Sequence, residues 1–277
     1  MNNLILILII TLPLTLLGQG WEQTFGGTNR DVGESVQQTS DGGYIITGWT
    51  NSFGNSVDVY LVKTDGNGNE LWTKTFGGTG GDYGYSIQQT SDGGYIITGG
   101  TESFGNGNGY SDIYLIKTDG SGNELWYKTF GGTGGDYGGC VQQTTDGGYI
   151  ISGITNLIDL EGSDLYLIKT DGNGDTLWTK SYGGTGLEFG GFVQQTSDGG
   201  YVICGYTDSF GNGDSDVYLI KTDGNGNVTS TFNIPLNSNR KLEKIVDILG
   251  NETKPQTNTP LIEIYDDGST EKKIIIE

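Results

Sequence analysis

The chain has 277 residues, with 14 Lys+Arg against 34 Asp+Glu and a formal net charge of −20. A surface of that sign repels phosphate backbones and anionic lipid, which argues against nucleic-acid partners and leaves cations, basic proteins and neutral glycans. No histidine is present, and this removes Ser-His-Asp and Cys-His catalysis together with most zinc or haem sites.

Met1 to Leu17 is almost wholly apolar, with the main run from Leu4 to Leu17. It is short for a membrane span and reads as a signal-peptide core, with residues 1–18 as the leader and cleavage after Gly18. The expectation is an exported protein without a transmembrane segment.

From Trp21 onward one set of words recurs. Ser91-Asp92-Gly93-Gly94-Tyr95-Ile96-Ile97-Thr98-Gly99, then Asp112 to Asp119, is repeated at Ser40, Thr145 and Ser197. The marker tyrosines Tyr44, Tyr95, Tyr149 and Tyr201 define a period of about fifty residues, the length of a unit holding several short strands. Glycine (51 residues) follows the same period and so marks turns needing positive φ.

In the second unit the strands are expected at Tyr85 to Thr90, Tyr95 to Thr98, Asp112 to Lys117 and Leu125 to Phe130. A Ser-Phe-Gly-Asn loop separates the second and third (Ser52 to Asn55, Ser103 to Asn106, Ser209 to Asn212), and the third unit has Asn156 to Asp159 instead. Third and fourth strands join through turns such as Asp65-Gly66-Asn67-Gly68-Asn69. The middle strands are apolar on both faces, which requires a neighbour on each side; the fourth, with Thr73, Lys74 and Thr75 beside Trp72, suits an outer edge. The fold expected for residues 19–234 is therefore all-β, a β-propeller of four repeats of four strands. The stretch opens with a lone fourth-strand word, Trp21 to Phe25, and closes with a weaker one, Val228 to Phe232. A ring of four blades, an open arc and a ring completed by a second chain all fit. Cys140 stands where Ser35 and Ser86 stand, and Cys204 where Thr47 and Thr98 stand, so the two are small packed residues or a disulfide between neighbouring repeats.

The order Ile96-Ile97-Thr98-Gly99-Gly100, Tyr114, Trp126 resembles a kelch-type propeller blade, and the resemblance extends over the four repeats. It implies the architecture and no activity. After Pro235 the glycine rhythm stops, and residues 235–277 form a different segment. Here Asp247-Ile248-Leu249-Gly250-Asn251-Glu252 and the ending Asp267-Gly268 … Lys272-Lys273-Ile274-Ile275 resemble the C-terminal sorting domains of type IX secretion, with Asn251 in place of the usual Arg. The resemblance implies a sorting motif at Asp247, Leu249, Gly250, Lys272 and Lys273, and the type IX secretion machinery as partner. It also implies delivery to the outer-membrane surface or medium of a Bacteroidota-type bacterium. A small β-hairpin cap is the alternative for this segment.

Two sets of residues stand out as sites. Asp31, Asp82, Asp136 and Glu188 each precede the first strand of a unit; four carboxylates converging at a propeller axis would hold a hard cation such as Ca²⁺. Solvated turn acids copied by duplication are the other reading. The aromatics Trp49, Tyr206, Phe53, Phe104 and Phe210 lie at irregular or loop positions, where they either stack on a sugar or peptide or pack loop onto blade. The Asp65-Asn67-Asn69 turn is not an EF-hand, since Glu70 and Phe76 occupy the places needing Gly and Glu. No spacing singles out a catalytic pair. The sequence thus points to a non-catalytic surface or secreted binding and adhesion module. A structural surface repeat without a ligand, and then a carbohydrate-active enzyme, are the alternatives.

Overall fold

A computed structural model describes residues 20–106, 109–157, 162–228, 241–247, 252–254, 260–266 and 270–274. The chain divides into two compact units, Met1–Val228 and Thr229–Glu277. All regular structure among the described residues is β-strand, and no helix among them is long and apolar enough to cross a membrane.

The first unit contains four antiparallel sheets, each made by one repeat in chain order. The first is β1 (Asp31–Gln38), β2 (Tyr44–Thr50), β3 (Asp58–Thr64) and β4 (Glu70–Phe76). The second is β5 (Asp82–Gln89), β6 (Tyr95–Thr101), β7 (Asp112–Thr118) and β8 (Glu124–Phe130), and the third is β9 (Gly135–Gln143), β10 (Tyr149–Leu157), β11 (Asp164–Thr170) and β12 (Thr176–Tyr182). The fourth comprises β13 (Glu188–Gln195), β14 (Tyr201–Thr207) and β15 (Asp216–Thr222), with a single further bridge from Thr222 to Val228. The rest of the closing word expected at Val228 to Phe232 lies outside the described residues, as does the leader at 1–18.

Alternation explains the strands. In β3 and β7 every residue is buried, because Val59 and Leu61 point to one side and Tyr60 and Val62 to the other. Three apolar cores fill the spaces between successive sheets. The first joins Ile45, Val59 and Leu61 to Ile87, Tyr95, Ile97, Tyr114 and Ile116. The second joins Ile96, Ile113 and Leu115 to Val141, Tyr149, Ile151 and Ile168, and the third repeats the arrangement with Ile150, Leu165 and Leu167 against Val193, Tyr201, Ile203 and Ile220. Fourth strands expose one side, as at Leu71, Leu125 and Leu177.

The Thr-x-Asp-Gly-Gly word builds the first hairpin of each sheet. In the second unit the Asp92 carboxylate accepts from Thr90 Oγ1 (2.6 Å) and the Gly94 amide (3.0 Å), while Gly93 takes φ +83°. The buried ammonium of Lys117 reaches back from β7 to the same carboxylate at 3.0 Å and to the Thr118 carbonyl at 2.9 Å. Lys63–Asp41, Lys169–Asp146 and Lys221–Asp198 repeat the pair. A lysine, buried in the first three sheets and exposed in the fourth, thus locks the third strand to the turn between the first two.

First strands of successive sheets pack side by side, so they form the inner side of the stack. A reciprocal amide clamp joins them. Gln37 Oε1 accepts from the Gln89 amide (2.6 Å), and Gln89 Oε1 accepts from the Ser40 amide (2.8 Å). Gln88 with Gln143 and Ser91, and Gln142 with Gln195 and Thr145, make the same two bonds at the next junctions. Among the described residues no sheet covers the outer faces of the first and fourth sheets, where Val36, Val217 and Leu219 are exposed. Both cysteines are free thiols, so no disulfide joins the repeats.

The second unit is a three-stranded antiparallel sheet of β16 (Leu242–Asp247), β17 (Pro260–Tyr265) and β18 (Thr270–Ile274), in that order. Val246 and Leu261 are buried in it.

Candidate functional site

The acid that opens each unit is held by its own loops. Asp82 accepts from Thr101 Oγ1, from Ser103 Oγ (2.5 Å) and from the Gly78 amide (2.9 Å). Asp31 uses Thr50, Ser52 and Gly27; Asp136 uses Thr155, Asn156 and Gly132; Glu188 uses Thr207, Ser209 and Gly184. Each carboxylate therefore staples the Gly-Gly-Thr loop to the loop after the second strand. At Asp31 and Glu188 burial pushes the carboxyl pKa up, but these hydrogen bonds outweigh it and the net direction is down. Among the described residues no three Asp, Glu, Cys or His come together as a group that could hold a metal ion; each of these acids meets its own loops. Like-charged neighbours occur in pairs instead. Burial, and then the Asp82 charge across the junction, raise the pKa of Asp58; burial and Glu188 do the same to Asp164.

The Asp65 turn is accounted for in the same way. Its carboxylate accepts from the Asn67 and Asn69 amides (2.8 and 2.9 Å) and from Asn69 Nδ2 (2.9 Å), which closes the hairpin.

The five aromatics separate into two groups. Phe53, Phe104 and Phe210 lie on the tyrosine of the third strand, each with ring centroids 5.6 Å from Tyr60, Tyr114 and Tyr218 respectively. They pack loop onto sheet. Trp49 and Tyr206, at the ends of β2 and β14, belong to a row along the inner strands. Trp49 packs edge-on to Tyr83 (6.0 Å), donates its indole N–H to Glu34 (3.3 Å) and lies under the Arg30 guanidinium (4.9 Å). Tyr83 stacks on Tyr85 (6.2 Å), and at the other end Phe189 stacks on Tyr206 (5.6 Å).

Between these two stacks lies a cleft of about 450 Å³, lined by Tyr85, Tyr137, Ile154, Leu157, Leu187, Phe189, Phe192 and Tyr206 together with Gly138, Gly139 and Gly191. Its size is that of a small-ligand site, and its lining is mostly apolar, combining Tyr and Phe rings with Ile154, Leu157 and Leu187. The glycines matter here. At the position of Tyr85 the neighbouring repeats carry Gly139 and Gly191, which leaves the volume empty. Tyr83, Tyr137 and Phe189 share one position of a repeated acid-aromatic-glycine word and so look like framework, and Tyr85 and Phe192 lie just beyond that word. The available signal was that Tyr85 replaces Glu34, Gly139 and Gly191 at one repeat position.

Of the sorting motif, Asp247 ends β16, and Lys272 and Lys273 lie in β18; Leu249 and Gly250 fall outside the described residues. Asp247 and Lys273 are both register partners of Leu261, on either side of β17.

The first unit is thus an all-β repeat protein of four similar antiparallel sheets. No family model matches the chain. No curated protein matches it either. Among solved structures, a protein of unknown function from Bacteroides caccae is similar with a TM-score of 0.33 and 13% identity, over 71% of this chain and 79% of that one.

Proposed function

We propose that this is an exported, non-catalytic binding module whose repeats are β-propeller blades and whose aromatic cleft takes a neutral glycan. The observation that carries the reading is the cleft between the Tyr83–Tyr85 and Phe189–Tyr206 stacks. Aromatic faces with hydroxyl tips suit the apolar faces and hydroxyls of a pyranose. The strong negative charge disfavours anionic ligands at the same surface. Export is supported by the apolar leader at 1–18 and by the resemblance of residues 235–277 to type IX sorting domains.

The test is a glycan array with the purified full chain, followed by titration calorimetry of any hit against Tyr85→Ala and Tyr206→Ala. Saturable binding weakened by both substitutions supports the module. Silence from folded protein, or binding indifferent to both, rejects the cleft and leaves a structural surface repeat. Export is tested separately by deleting residues 235–277. Retention in the periplasm supports sorting by the tail, and unchanged surface or medium levels refute it.

A further inference from the structure

The two ends of the four-sheet stack are halves of the junction that the chain makes three times internally. On the first sheet, Val36 is 64% exposed, whereas its repeat equivalents Ile87, Val141 and Val193 are buried. On the fourth, Val217 is 81% and Leu219 68% exposed, while Ile113 and Leu115 at the same positions are both 0% exposed. The exposed residues keep the character of the buried ones.

The polar clamp is also split. Every internal junction needs a glutamine carbonyl and a Ser or Thr amide from one sheet, and a glutamine amide and carbonyl from the next. By position, Gln194 and Ser197 supply the first half at the fourth sheet, and Gln38 supplies the second at the first sheet.

The segment Trp21 to Phe25 fits the same scheme. Trp21 packs on Tyr44 (5.6 Å) as Trp72 does on Tyr95 (6.1 Å), and it covers Gly68 as Trp72 covers Gly122. It therefore sits on the first sheet where the fourth strand of a preceding sheet would sit. An apolar trough of about 560 Å³ opens beside it, lined by Trp21, Phe25, Val36, Tyr44, Ile46 and Val62.

We propose that a second copy of this chain docks head to tail, its fourth sheet covering the first sheet of its neighbour. Trp21 to Phe25 then runs beside β15 of the docked copy. By the register of β3 with β4, Trp21 faces Lys221 and Gln23 faces Leu219. The occupant is a second copy rather than the chain's own far end. Within one chain both faces are exposed, and the three clamped, close-packed junctions set the angle between sheets. Head-to-tail contacts of this kind form a ring where the rotation closes and a filament where it does not.

Mass is measured by sedimentation for the purified full chain and for Val36→Asp and Leu219→Asp. The expected result is a concentration-dependent assembly of two or more copies for the wild type and monomers for each variant. Mixing the two variants restores a two-chain species through the one intact junction. In a chain with Cys140→Ser and Cys204→Ser, Gln23→Cys and Leu219→Cys together should oxidise to a covalently linked dimer or longer chain. A wild-type monomer at all concentrations, no recovery on mixing, or a cross-link confined within one chain overturns the proposal.

Discussion

The pair Asp92–Lys117 makes an asymmetric prediction. The Lys117 side chain is 4% exposed and the Asp92 side chain 58%, although their charged atoms lie 3.0 Å apart. Removing the acid leaves a buried ammonium with one remaining strong acceptor, the Thr118 carbonyl. Removing the lysine leaves a carboxylate that water already reaches, still held by Thr90 and Gly94. Asp92→Asn should therefore cost about 3 kcal/mol, near the lower end for breaking a buried pair. Lys117→Met keeps the stem packed and should cost about 1–2 kcal/mol, mainly the lost bond to the Thr118 carbonyl. Adding Lys117→Met to Asp92→Asn should recover stability, since it removes the stranded charge.

Acid neutralises Asp92 more gently than Asp92→Asn, because the protonated carboxyl keeps both oxygens in place beside Lys117. Burial raises the Asp92 pKa, but hydrogen bonds from Thr90, Gly94 and Lys117 outweigh it and bring it down from 3.8 to about 2. Its folded value lies below its unfolded one, so the stabilisation is complete above about pH 4 and is lost as pH falls through 2. The shift alone corresponds to about 2.5 kcal/mol, which screening at so exposed a carboxylate reduces to about 1 kcal/mol. Urea unfolding midpoints of the four proteins at pH 7 and pH 2.5 measure all of this. A larger loss for Lys117→Met than for Asp92→Asn, or a double variant no better than Asp92→Asn, would refute the reasoning.

Three further outcomes are expected. Gly93→Ala meets open space and costs about 1 kcal/mol for its positive φ, whereas a methyl on Gly94 would lie 2.1 Å from the Thr118 carbonyl oxygen and should cost about 3 kcal/mol or more; thermal melts of the two variants rank them. Phe104→Ala should lower stability by about 2–3 kcal/mol through lost packing on Tyr114 and Tyr127 and leave ligand affinity unchanged, while Tyr206→Ala should weaken binding about tenfold with little change in melting. Because hydrogen bonds from its own loops hold each of the acids Asp31, Asp82, Asp136 and Glu188, the melting temperature should be the same in calcium and in EDTA; a calcium-dependent rise lost in Asp82→Asn/Asp136→Asn would reinstate the cation.

Much of the first unit was legible in the chain itself. A hairpin is decided by residues close in sequence, so Thr90-x-Asp92-Gly93-Gly94 and Asp65 to Asn69 reveal their turns directly, and alternation in Val59 to Val62 shows that both faces need cover. The lysine in each third strand gave no such hint. Its partner lies more than twenty residues back, and only the sheet brings Lys117 under Asp92. The acids before each first strand were visible as a periodic set, but periodicity cannot say whether equivalent residues meet one another or each meets its own loop. The fold resolves this in favour of the loops, because Thr101 and Ser103 reach Asp82 from the end of the neighbouring strand.

Composition and the spacing of short words by themselves determine the strand order, the turns and the stack of like units. What covers what is a property of the packed sheets. Tyr85 becomes the wall of a cleft only because Gly139 and Gly191 stand at its repeat position and Phe189 and Tyr206 stack across the gap. Whether the stack closes was equally hidden. Closure depends on the angle at each junction, set by side-chain volumes and the glutamine clamps between residues about fifty positions apart, and with those angles Val36 and Leu219 remain uncovered.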